Sequence, residues 1–251
     1  MNIIFHENFY KTDYANNQAS SQGRMESIMD KLVKNYKVLQ TSSASFETIS
    51  LAHDPNYITG IKENKKLFDM ASLAVGGAVQ ASEISMNGKA TFACVRPPGH
   101  HANKDHGWGY CEFCNIAIAL LNLKKKGKIN SAFLLDFDAH TGDGTRNILS
   151  DWKEVNILNP MAENAENYMK IIDNYIKTIK YVDIIAVSAG FDTYKKDIGK
   201  KLDTYDFYRI GKMMRKLARR MKHNRRFAVL EGGYYIPDLG KNVLSFCQGF
   251  E

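Results

Sequence analysis

Four short apolar runs in this chain each break off into a cluster of polar residues: ATFACV into RPPGHHA, AFLLDF into DAHTGDGT, DIIAVS into AGFD, and FAVL into EGGYY. Runs of that length, rich in β-branched and aromatic residues, read as buried strands, and here they alternate with longer stretches of helical period. That alternation predicts an α/β fold, a three-layer α-β-α arrangement with a mainly parallel central sheet. In such sheets ligands bind outside the carboxyl ends of the strands, where the loops converge. One polar cluster there could be chance, but four imply a built site.

The predicted strands are Asn2 to Phe5, Ala90 to Val95, Ala132 to Phe137, Val155 to Leu158, Asp183 to Ser188 and Phe227 to Leu230. Helices are expected at Met25 to Asn35, Leu67 to Ser85, Asn115 to Lys125, Ala165 to Lys180 and Tyr205 to Lys222. No linker, composition shift or repeat interrupts the 251 residues, so one domain over 1–251 is expected. The formal net charge of +7 comes largely from three runs, Lys124 to Lys128, Lys195 to Lys201 and Arg215 to Arg226. No aromatic residues interleave with them as stacking platforms would, so they read as a solvated face and no nucleic-acid partner is expected. No window approaches the roughly 18 apolar residues of a membrane helix, so no membrane partner is expected. The first residues lack a secretory pattern, and Cys94, Cys111, Cys114 and Cys247 are too irregularly spaced for a disulfide framework. A cytoplasmic protein with reduced thiols is the expectation.

The polar clusters hold residues suited to hydrolysis. On an extended segment Asp136, Asp138 and His140 would share one face, so Asp138 and His140 can grip one metal ion while Asp136 orients a neighbour. Asp192, at the end of another strand, supplies a third ligand. Two carboxylates and an imidazole suit one divalent first-row ion with a position left open, and zinc, one per chain, is the expected cofactor. The His100-His101 pair follows the stiff turn of RPPG, and beside a metal one imidazole can take a proton and the other deliver one. Each needs a carboxylate behind it, and Asp136 and Asp143 are available. Tyr234 follows two glycines, and its phenol can hold an oxyanion without bringing charge. Gly107-Trp108-Gly109-Tyr110 reads as a pocket wall, and Cys111-x-x-Cys114, one pair without a second, as a weak metal signal.

Together these clusters resemble the histone deacetylase and acetylpolyamine amidohydrolase family, on the arginase-deacetylase fold. RPPGHHA, GYCEFCNIAIA, DFDAHTGDGT, SAGFD followed by Asp197, and LEGGYY stand in the family's order, LAHDPNYI resembles its VHSPEYI, and PDLGKNVLSFCQGF resembles its C-terminal helix. The resemblance implies a zinc-dependent amidohydrolase that removes an acetyl or other acyl group from a lysine-like amine. It implies Asp138, His140 and Asp192 as zinc ligands, and His100 and His101 as the base and acid pair, backed by Asp136 and Asp143. Tyr234 would be the oxyanion donor, with Gly109 and Tyr110 lining the acyl-lysine tunnel. The substrate would be an acylated lysine peptide or a small acyl-amine.

Several positions depart from the family. Thr141 stands where a second His is usual, Cys114-Asn115 replaces Asn-Asn, and QASSQGRM around Arg24 keeps only the arginine of HPExPxRL. The stretch resembling FYPGTG is missing between His140 and Asp192, which predicts a wider pocket mouth. An acetylpolyamine amidohydrolase is the alternative within the family. An arginase-like enzyme would need a DxD pair where this chain has Asp192-Thr193-Tyr194, and a non-catalytic acyl-lysine binder would be expected to lack a ligand or the tyrosine. Neither is favoured.

Overall fold

The strand candidates form, and every one pairs with its neighbours in parallel. A computed structural model describes residues 1–251. The chain runs β1 (Asn2–Phe5), α1 (Arg24–Leu32), β2 (Lys37–Gln40), α2 (Phe46–Ile49), α3 (Pro55–Lys62), α4 (Lys65–Ser85), β3 (Thr91–Ala93), α5 (Asn115–Lys125), β4 (Ala132–Asp136), α6 (Asp143–Leu149), β5 (Val155–Leu158), α7 (Ala165–Thr178), β6 (Ile184–Ala189), α8 (Thr204–Arg220), β7 (Arg226–Leu230) and α9 (Ile236–Phe250). The sheet order is β2-β1-β3-β7-β6-β4-β5. The four strands that end in polar clusters are therefore contiguous, as β3-β7-β6-β4, although β7 comes last in the chain. Their register sets Ala189 beside Leu230 and Asp136 beside Ser188, so all four loops leave one edge together.

Strands β3, β4, β6 and β7 are buried along their whole length, as strands covered on both faces must be. Helix α4 packs with α5, and α9 packs with both α8 and α1. One hydrophobic cluster runs from Ile3 to Phe250. Asp203 starts α8 with a capping box, its carboxylate accepting from the Tyr205 and Asp206 amides. No helix is long and apolar enough to cross a membrane.

Beneath the functional edge lies an aromatic cluster. Phe137 and Phe191 meet edge to face at 5.4 Å, and Phe207 of α8 and Phe246 of α9 pack against Phe137 at 5.9 and 5.3 Å. Ring pairs at these separations add attraction beyond the burial of their area. Because Phe137 precedes Asp138 and Phe191 precedes Asp192, the packing of α8 and α9 positions two of the expected metal ligands.

Candidate active site

The ligand set assembles through a turn, which corrects the shared-face expectation. Strand β4 ends at Asp136, and beyond it the Asp138 amide donates to Asp136 Oδ1 at 3.1 Å and the His140 amide to Asp138 Oδ1 at 3.0 Å. Across the edge, Asp192 Oδ1 accepts from the Ala139 amide at 2.9 Å. His140 Nδ1 then lies 3.0 Å from Asp138 Oδ1 and 3.1 Å from Asp192 Oδ2. Ligand atoms of Asp138, His140 and Asp192 all fall within 4.8 Å of one another.

This arrangement fits a divalent cation. Asp192 is fully buried, and its Oδ2 makes no well-directed hydrogen bond although His140 Nδ1 lies 3.1 Å away. Burial, together with the charge of Asp138 opposite, pushes the Asp192 carboxyl upward, because two facing carboxylates in a poorly solvated place resist ionising together. A buried oxygen of this kind would be expensive unless a cation completed it. A side chain at Gly190 would collide with the Asp138 carboxylate, so the close approach of β6 to this turn requires glycine.

His100 and His101 sit on the loop after β3, both buried. His100 Nδ1 faces Asp136 Oδ2 at 3.0 Å and its Nε2 lies 3.7 Å from Asp138 Oδ1. Burial opposes charge on His100, but Asp138 and Asp136 outweigh it and hold the imidazole above its ordinary range. A cation on Asp138 would withdraw part of that effect. His101 Nδ1 faces Asp143 Oδ1 at 2.7 Å, and burial with its neighbour His100 pushes it the other way, downward. Since carboxylates accept, each Nδ1 carries a proton toward its carboxylate, and both rings border one cavity.

Tyr234 is clamped from two sides, and sequence reasoning found neither clamp. Buried Arg24 donates from Nε to the Gly233 carbonyl at 2.9 Å and from Nη2 to the Glu231 carbonyl, and its guanidinium lies 5.7 Å from the centre of the Tyr234 ring. On the outer side Asp197 Oδ2 accepts from the Tyr234 and Tyr235 amides at 2.6 and 2.7 Å. Burial keeps the phenol far above its ordinary value, so it remains a protonated donor. Glu231 is also missed by local reasoning: fully buried, it accepts from the Gly99 and His100 amides at 2.7 and 3.2 Å, and burial raises it to about 7. It ties the histidine loop to β7. Position in the family motifs was the one signal for Arg24 and Asp197, and Glu231 carried none beyond lying in LEGGYY.

Pro98, Trp108, Gly109, Tyr110, Ile198 and Tyr234 wall a cavity of about 250 Å³ over the two histidines and His140. The sequence-read lining pair, Gly109 and Tyr110, is part of that wall, and the Tyr110 and Tyr234 rings meet edge to face at 6.0 Å. Cys111 is different. It lies with His100 and Glu231 in a second ligand-like cluster, but burial drives its thiol well upward and Glu231 is occupied by amides. Cys114 is buried at the position just before α5. A larger groove of about 500 Å³ beside His6, Lys11, Asp13 and Lys66 holds no metal-ligand cluster, and its Lys66 and Asp13 neutralise each other at 2.6 Å.

His53, from the LAHDPNYI segment, braces these loops: its Nδ1 meets the Asn103 carbonyl at 2.8 Å while its Nε2 accepts from the Cys114 amide at 2.9 Å. The ring must be neutral to do both, and burial holds its pKa down to about 4. Relative to an unfolded value near 6.5, this bracing is intact above about pH 6.5 and is lost as pH falls toward 4, a penalty of about 3 kcal/mol in full. Urea unfolding of His53→Gln should accordingly show a stability deficit that is largest at pH 7 to 8 and shrinks toward pH 4. A deficit independent of pH would contradict the neutral ring.

The sequence profile of the Histone deacetylase domain matches residues 18–168 and 155–250. A probable deacetylase of Archaeoglobus fulgidus is 29% identical over 99% of this chain and 86% of its own length. Acetylpolyamine amidohydrolase 2 of Pseudomonas aeruginosa is 30% identical over 72% of this chain, and the match covers 61% of that enzyme. The crystal structure of an acetylpolyamine aminohydrolase from Burkholderia pseudomallei superposes with a TM-score of 0.84 at 20% identity, covering 100% of this chain and 98% of that one, and so shares the fold. The arginase-deacetylase architecture expected from the motifs is the one observed, with the sheet parallel throughout. A profile matched over nearly the whole length, on a chain whose four sheet-edge loops carry that family's motifs, makes this protein a member of the histone deacetylase family.

Proposed function

We propose that residues 1–251 act as one catalytic domain, a zinc-dependent deacetylase that hydrolyses the acyl amide of a lysine-like amine. Deacetylase function is supported by the family and by the relatives' names. The observation that carries the reading is the buried, poorly bonded Asp192 oxygen converging with Asp138 and His140, with two carboxylate-backed histidines and a protonated tyrosine around the same cavity. Asp138, His140 and Asp192 would hold the ion. A divalent ion there supplies Lewis acidity to an acyl carbonyl and to a water molecule. His100 and His101 present their Nε2 atoms toward the cleft, one unprotonated to take the proton of the attacking water and one protonated to give a proton to the departing amine. Tyr234 donates its O–H to the carbonyl oxygen as charge gathers there. The products are the free amine and the carboxylate of the acyl group. Four buried free thiols suit a cytoplasmic location.

The substrate reading is acyl-lysine or another neutral acyl amide ahead of acetylpolyamine. Lysines on the loop after Asp192 would repel a polycation if they faced the mouth, but they do not line it. Lys195 and Lys196 line a separate groove, with Lys196 bound to Asp238 at 3.0 Å, and Lys201 covers Tyr168. From that loop Ile198 reaches the cavity, and no carboxylate stands on the wall to receive a polyamine's second charge. The expected result is a higher kcat/KM for an acetyl-lysine peptide than for N-acetylputrescine or acetylspermidine at both low and moderate salt. Preference for the polyamines at both would reverse the assignment, and no turnover of any of these amides by the zinc-loaded chain would end it.

A further inference from the structure

Trp108 is half exposed, yet its ring and its N–H both engage one pair of residues, His101 and Asp143. Its indole lies over the His101 imidazole with ring centres 3.9 Å apart and 35° between planes, and Nε1–H donates to Asp143 Oδ2 at 3.0 Å. Asp143 Oδ2 also accepts from Asn103 Nδ2 at 3.1 Å, while Oδ1 receives His101 Nδ1–H at 2.7 Å. Three donors on two oxygens fix the carboxylate plane, and a fixed plane fixes the imidazole behind it. Left to two donors, Asp143 would be free to turn toward water, since its side chain is 41% exposed.

The local backbone is bent to make these contacts. Gly109 and Tyr110 both have positive φ, 57° and 69°, the second unusual for a residue with a side chain. This double left-handed bend lays Trp108 on His101 and carries Tyr110 to the opposite wall. A Cβ on Gly109 would stand 2.5 Å from the His101 ring, so the loop is strapped directly onto the imidazole. The strap matters because His101 borders the cavity and Trp108 covers its ring, leaving the imidazole buried.

We propose that Trp108 is the positioning residue of the proton-transfer pair: its N–H holds the Asp143 carboxylate against His101, and its ring shields the imidazole from solvent. The proposal rests on the assignment of His101 to proton transfer. Serving only as a wall for the substrate would be a different role, and the two separate in the kinetics. Loss of one hydrogen bond to a charged group predicts that Trp108→Phe, which keeps an aromatic face, lowers kcat roughly 10-fold with KM within about 2-fold. Trp108→Leu, which loses both contacts, should fall further. In a His101→Ala background the same changes should do little more, since residues acting as a unit are not additive.

A measurement independent of turnover uses the Nδ1–H resonance of His101 in the full chain, assigned by its absence in His101→Ala. It should be sharp and downfield in the native protein and broadened by exchange with water in Trp108→Leu. An unchanged resonance in that variant, or a raised KM at constant kcat that persists without His101, would overturn the proposal alone. Full turnover by His101→Ala would overturn the proton-transfer assignment and the proposal together.

Discussion

Asp192→Asn should abolish both metal retention and turnover while making the metal-free protein more stable. The native chain should carry about one zinc-like ion on its three ligands. Replacing the carboxylate by its amide removes a negative charge from the ion's immediate surroundings. Even outer partners of a metal ligand are worth 10- to 100-fold in affinity, so loss of a ligand charge should exceed roughly 100-fold. Without the ion the sign reverses. Burial and Asp138 already disfavour charge on Asp192, so a neutral amide of the same shape relieves that conflict. A gain on the order of 1 to 3 kcal/mol is expected from removing a poorly paired buried charge. Elemental analysis gives the first result, and urea unfolding in the presence of a chelator gives the second. Native metal content in the variant would remove Asp192 from the ligand set, and a less stable metal-free variant would show that its carboxylate is well paired with His140, whose Nδ1 lies 3.1 Å away.

Tyr234→Phe should lower kcat by about 10² to 10³, the usual effect of deleting one donor to a developing oxyanion. Metal content and thermal stability should stay near native, because no hydrogen bond of the Tyr234 hydroxyl supports the fold. The loop is held instead through backbone atoms, by Arg24 on the Gly233 carbonyl and by Asp197 on the Tyr234 and Tyr235 amides. The phenylalanine ring keeps the packing against Tyr110 and Arg24. KM should change little, since the contact strengthens as the carbonyl becomes an oxyanion. Native turnover by the variant would exclude the phenol from the chemistry. A loss accompanied by metal release would assign it to structure.

How much of this was legible in advance varies with how local each feature is. Strand β4 and helix α5 follow from runs of apolar residues whose period is their own, and both lie within a residue of the expected bounds. Strand β2 was not expected. Its four residues, KVLQ, are partly exposed, and it becomes a strand by pairing with β1 at the edge of the sheet. Helix α9 was visible through resemblance alone, because glycines and Pro237 weaken its pattern. Gly240 and Gly249 are needed there to let α9 approach Ser27 and Tyr208 of the neighbouring helices, and tertiary packing outweighs propensity.

The sequence by itself determined which strands end in reactive residues, and hence a parallel α/β fold whose loop edge gathers four carboxylates, three histidines and a tyrosine. Those are properties of composition and period along a few residues, which side-chain burial reads directly. Only the tertiary structure decided that β7 inserts between β3 and β6, bringing Tyr234 to the histidines, and that Asp138 and His140 meet through a turn. It also decided that the lysines after Asp192 stay off the cavity wall and that Trp108 closes over His101. These outcomes depend on groups far apart in the chain, whose positions are set by how helices pack across the sheet and by which buried polar atoms find partners.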